Sequence, residues 1–148
     1  QNGYRIAEVT IDFYDWAYNP PFVRCQERGS ASAVAALHDT FLISADAFLR
    51  WSEATSHAIF DRSIPHVLLL HDGAFDAHML DELLTRYEKA GAKWITLEEA
   101  LADPAYARDI RQPGKYWFGW LEKIVREDGV PQVPAPFEAD ALLDQLCR

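Results

Sequence analysis

Pro65-His66-Val67-Leu68-Leu69-Leu70-His71-Asp72-Gly73 is the stretch on which the fold turns. Its branched apolar run, Val67 to Leu70, leads straight into a histidine, an aspartate and a glycine. A strand buried on both faces has this unbroken apolar pattern, and such strands belong to parallel sheets. In α/β sheets and (β/α) barrels function gathers where strands end at their carboxyl edge, which is where His71 falls. Alone, His71 reads more simply as a polar residue closing a core strand. Its neighbours in sequence therefore carry the decision.

Upstream, Tyr4 to Phe13 (YRIAEVTIDF) has the β-branched and aromatic content of a strand, with Asp12 and Asp15 at its carboxyl end. Asn19-Pro20-Pro21 is expected to break regular structure. Ser30 or Ser32 then caps a long helical pattern in which Val34, Leu37, Phe41, Ala45, Phe48 and Leu49 recur at threes and fours, with Ile59 extending the stripe. With the Val67–Leu70 run this makes a right-handed parallel crossover. Downstream, Asp76 is placed to cap a second helix bearing Met79, Leu80, Leu83, Leu84 and Tyr87, stopped at Gly91. Lys93 to Thr96 reads as a third strand. Thr96 and Glu99 form a capping box, and Asp103-Pro104 opens a further short helix. Gln112-Pro113-Gly114 is a turn, and Tyr116-Trp117-Phe118-Gly119-Trp120-Leu121 leads a helix to about Glu127. Val130 to Pro136 is a proline-stiffened linker before a last helix, Ala139 to Leu146.

The expected fold class is therefore α/β, with about three parallel strands and flanking helices. Closing a barrel of this kind takes about eight strands. Three strands could make a small open sheet, but strands that read as buried on both faces point to the end of a larger fold. Residues 131–148 would form a proline-rich linker and terminal helix.

Composition bounds the function. The chain has 148 residues, 49% of them apolar and 25% charged, enough for a domain with a substantial core. A net charge of −9 argues against a nucleic-acid backbone or an anionic membrane surface as partner. No apolar run approaches the roughly 20 residues of a membrane span. Aromatic residues make up 13%, including five Trp, which favours either a packed core or a carbohydrate-lined cleft. Cys25 and Cys147 are the only cysteines, so one disulfide at most can form.

Asp12, Asp15 and Trp16 end one expected strand and His71 ends the next. On adjacent parallel strands, a carboxylate would face an imidazole at one edge, the arrangement that tunes a histidine as a general acid. The alternatives are that Asp15 caps the Asn19 turn and that His71 bonds a loop carbonyl. The histidines His38, His57, His66, His71 and His78 contain no i, i+4 pair, so no helix face offers a two-histidine metal site. His71, Asp72, Asp76 and His78 read more simply as helix-capping residues than as a local metal site. Trp117 and Trp120 read as packing rather than as a glycan face.

Ile11-Asp12-Phe13-Tyr14-Asp15-Trp16 resembles the D-x-x-D-W motif, and Leu69-Leu70-His71 the L-x-H motif, of the NodB-homology polysaccharide deacetylases. The helix from Asp76, the segment Thr96 to Tyr106 and Trp120-Leu121 extend the resemblance over roughly Tyr4 to Glu127. It implies metal-dependent hydrolysis of an N- or O-acetyl group on a sugar polymer, with a divalent metal such as zinc as cofactor and an acetylated polysaccharide as partner. His71 would be the general acid, Asp15 would tune it, and Trp16 and Leu69 would wall the acetyl methyl. That family's T-F-D-D and H-x-x-x-H motifs, which supply its base and metal ligands, do not occur in these residues. The resemblance therefore implies that residues 1–130 are the carboxyl-terminal portion of a deformed (β/α) barrel, an incomplete chain with no metal ligands of its own, inactive without a missing amino-terminal part or a second copy. It also implies an extracytoplasmic location, where such polymers lie. The rival expectation is a non-catalytic glycan- or protein-binding module on the same scaffold.

Overall fold

The computed structural model describes residues 6–110, 119–136 and 140–148. Its elements in chain order are a 3-10 turn at Asp15–Tyr18, α1 (Asn19–Glu27), α2 (Ala31–Phe60), α3 (Ala74–Lys89), α4 (Leu97–Leu101), a 3-10 turn at Pro104–Ala107, α5 (Trp120–Asp128) and α6 (Asp140–Leu143). Helices take up 61% of the described residues, and no β-strand occurs among them. The expected partial (β/α) barrel is thus overturned.

The reason lies in the pairing. A strand needs a ladder, and among the described residues one parallel bridge forms, between Ile11 and Leu68. It rests on the Ile11 N–H donating to the Val67 carbonyl at 3.1 Å and the Leu69 N–H donating to the Ile11 carbonyl at 3.0 Å. Val67 to Leu70 are extended but only half-buried, so the apolar run is not sealed on both faces. Lys93 to Thr96 is not a strand among the described residues and leaves Trp94 48% and Ile95 52% exposed. Tyr4 and Arg5, at the head of the first expected strand, lie outside the described residues. So do the Gln112-Pro113-Gly114 turn and Tyr116 to Phe118.

The described chain forms two compact units. The first comprises Gln1–Asp12, Leu49–Leu69 and Trp94–Pro134; the second comprises Phe13–Phe48, Leu70–Lys93 and Ala135–Arg148. In the first, Trp120 is 2% exposed and stacks on Tyr106 at 4.9 Å, with Phe60 on the same cluster at 6.1 Å. Ile64, Ala105, Leu121 and Ile124 complete that core, so Trp120 packs as its spacing suggested. Trp117 lies outside the described residues. α5 ends at Gly129, whose left-handed φ of 66° suits glycine at a helix stop. Thr96 and Glu99 do form the capping box of α4, and the Asp103 side chain accepts from the Ala105 N–H.

The second unit is built on aromatic contacts. Phe41 of α2 meets Phe13 edge-on at 4.9 Å, Tyr18 at 5.2 Å and Phe75 at 5.5 Å. Leu37, Ala45, Met79 and Leu83 fill the space around them at 1% exposure or less. α2 is long and apolar enough to cross a bilayer, but its apolar stripe supplies this core. Asn19-Pro20-Pro21 does not break the chain; it opens α1, with the prolines in the first turn, where no intrahelical donor is lost. Cys25 of α1 is bonded to Cys147, and Arg24 donates to the carbonyls of Leu143, Asp144 and Leu146. The chain after α6 is therefore held to α1 by both covalent and polar contacts.

Candidate functional site

The site lies in the second unit and begins with a strained residue. Tyr14 has φ 60° and ψ 40°, a left-handed conformation that costs a non-glycine residue about 1–2 kcal/mol. The chain thereby turns into the Asp15–Tyr18 turn, where Asp15 is fully buried. A buried carboxylate must be hydrogen-bonded to persist. Both Asp15 oxygens are engaged by one residue: Oδ2 accepts the His71 backbone N–H at 2.6 Å, and Oδ1 lies 2.8 Å from His71 Nδ1. A carboxylate only accepts, so Nδ1 carries the hydrogen and Nε2 is the ring's outward nitrogen. The His71 side chain is 42% exposed, and Nε2 has no hydrogen-bond partner among the described residues. Asp15 is thus the carboxylate that grips the imidazole.

A second carboxyl completes the site. Asp76, in the first turn of α3, is 6% exposed. It is not the helix cap its position suggested, for Gly73 occupies that place. Asp76 Oδ2 accepts from Asn19 Nδ2 at 2.6 Å, and Asn19 Oδ1 accepts the Phe75 N–H at 2.8 Å. A Cβ on Gly73 would stand 1.9 Å from Asn19 Nδ2, so only glycine leaves room for this amide. Burial pushes the Asp76 carboxyl up to about 6; the Asn19 amide opposes this, and the neighbouring Asp15 adds to it.

Trp16 follows Asp15 in the same turn and is 47% exposed, an indole open to solvent beside the pair in sequence. Leu69 belongs to the first unit, where its N–H is spent on the Ile11 carbonyl. His78 packs its ring on Phe22 at 6.0 Å. Asn19, Gly73 and Asp76 were not singled out from sequence as site residues. The available signal was the spacing of Asp15 to Asn19, one turn of helix, combined with prolines that start rather than stop α1.

In the first unit His66 is largely buried, with Nδ1 3.1 Å from Thr10 Oγ1 and Nε2 3.6 Å from a Glu53 oxygen. Burial lowers its pKa from the ordinary value, against the pull of Glu53. It does not belong to the His71 site.

The donor set does not suit a metal. His71 leaves only Nε2 open, both Asp15 oxygens are taken, and one Asp76 oxygen is held by Asn19. Among the described residues no three His, Cys, Asp or Glu side chains converge as a metal site would require. What the arrangement offers is an oriented imidazole backed by a buried carboxylate. No protein-family model, curated protein or solved structure matches this chain.

Proposed function

We propose that His71 and Asp15 are the acid half of a hydrolase that removes acetyl groups from a sugar polymer. The observation that carries this reading is the buried Asp15 carboxylate gripping both the backbone and the ring of a half-exposed His71. Asp15 fixes the tautomer and ring plane, and it balances the charge when Nε2 also bears a proton. As the bond from the acetyl carbon to the leaving nitrogen or oxygen breaks, its electron pair goes to the leaving atom. The Nε2 proton follows, releasing a neutral amine or alcohol. The described residues do not supply the base that generates the attacking oxygen. We assign it, with any metal, to a further part of the protein or a second copy of the chain. The exposed Trp16 ring is suited to stack on a sugar face. The Cys25–Cys147 disulfide supports an extracytoplasmic, oxidising location.

The test is acetate release from acetylated chito-oligosaccharide by the protein that carries this chain, with a divalent metal supplied. His71→Ala is expected to lower turnover by about 10²-fold or more, and to cost about 1–3 kcal/mol of stability because it leaves the buried Asp15 Oδ1 short of a donor. Turnover unchanged by that substitution would remove His71 from the mechanism. A non-catalytic reading is favoured only by Trp16; glycan binding lost in Trp16→Ala, with no acetate released by the unaltered protein, would select it.

A further inference from the structure

We infer that Asp76 is a proton-bearing positioning residue of the His71 site, donating from Oδ1 to the Asp15 carboxylate while Asn19 holds Oδ2. Asp76 Oδ1 is sealed from solvent and has no hydrogen-bond partner as an ionised oxygen. Its carboxyl neighbour is Asp15, itself fully buried. Two ionised carboxylates can only accept, so neither satisfies the other. A proton on Oδ1 turns the orphaned acceptor into a donor, and Asp15 has lone pairs left after taking one His71 hydrogen on each oxygen. The proton belongs on Asp76 because both Asp15 oxygens already accept N–H donors.

The surroundings agree. The 3-10 turn contributes Asp15, the loop before α3 contributes His71 beyond it, and α1 contributes only the uncharged Asn19 amide. Neither Asp76 oxygen is bonded to a cation among the described residues. The rise of the Asp76 carboxyl to about 6 is what burial beside a second carboxylate produces. With the proton in place the pair bears one negative charge behind the imidazole; without it, two. The way Asp15 holds the His71 ring therefore changes through the mildly acidic range. This rests on the His71–Asp15 contact and not on the substrate named above.

The experiment is a pH titration of the intact chain, labelled with 13C at the aspartate carboxyls and assigned through the backbone. In the unaltered protein the Asp76 carboxyl is expected to titrate near 6. The His71 Nδ1–H resonance is expected to move with the same midpoint. Asp15→Asn should lower the Asp76 midpoint by roughly one unit, and Asp76→Asn should abolish the linked movement at His71. An Asp76 carboxyl that titrates near 4, as exposed aspartates do, would overturn the inference, and this reading needs no variant to fold. A His71 resonance that moves identically in Asp76→Asn would overturn it too. Neither outcome depends on acetate release, so the catalytic reading stands or falls separately.

Discussion

Replacing Asp76 with asparagine should stabilise the protein at neutral pH and leave it nearly unchanged in acid. Asp76 is 6% exposed, and its carboxyl is raised from 3.8 to about 6. The folded chain thus holds this proton more tightly than the unfolded chain does. As pH rises from about 4 to 6 the folded form gives up a proton it binds better, so stability falls and stays lower above that window. A difference of about two units at 1.36 kcal/mol each sets a ceiling of about 3 kcal/mol. Asparagine carries no charge to bury, keeps an oxygen for the Asn19 amide and offers an N–H to Asp15. Urea unfolding of both proteins at pH 4 and pH 7.5, with the disulfide intact, measures the effect. With a slope of about 2 kcal/mol per molar, the variant's midpoint should lie about 1 M or more higher at pH 7.5 and nearly coincide at pH 4. The same midpoint difference at both pH values would refute the reasoning, as would a variant weaker than the parent at pH 7.5.

Three other perturbations follow from the geometry. Gly73→Ala drives a methyl into the Asn19 amide and breaks its bonds to Asp76 and Phe75, so a loss of about 1–3 kcal/mol is expected by thermal melting. His66 is held neutral by burial, so its stabilising contribution is present above about 6.5 and lost as pH falls below it. His66→Gln should flatten that part of the acid limb, and melts at pH 7 and pH 5 that fall in parallel with the parent's would contradict this. Replacing Cys25 and Cys147 together by serine opens a loop of 122 residues, and chain entropy puts the loss near 4–5 kcal/mol, read as a lower urea midpoint.

The long helices α2 and α3 were legible in the sequence, whereas α1, read as a proline break, and the strand pairing were not. The stripe Leu37, Phe41, Ala45 and Phe48 and the face Met79, Leu83 and Tyr87 are buried as their spacing required, because a helix satisfies its own backbone and needs only one apolar face. Val67 to Leu70 satisfied the pattern of a buried strand, yet pattern cannot count the partners that supply a ladder, and here one bridge forms. The approach of Asp15 to His71 was anticipated from strand ends. The structure brings them together through the turn at Tyr14 and the loop before α3, without a sheet. Asp76 and Asn19 were hidden because each has an ordinary local role, one as a helix cap and one beside a proline break. Only the packing of α1 against α3 reveals that both face inward.

The bond between Cys25 and Cys147 sets an order of events in biosynthesis. A chain made from its amino end presents Cys25 as a thiol while the next 122 residues are still being added. These 148 residues hold two cysteines, so within them Cys25 has no wrong partner. The competing reaction is with another chain, and its rate grows with concentration whereas ring closure does not. In oxidative refolding the monomer fraction should therefore rise with dilution, and covalent dimers should mark the crowded limit.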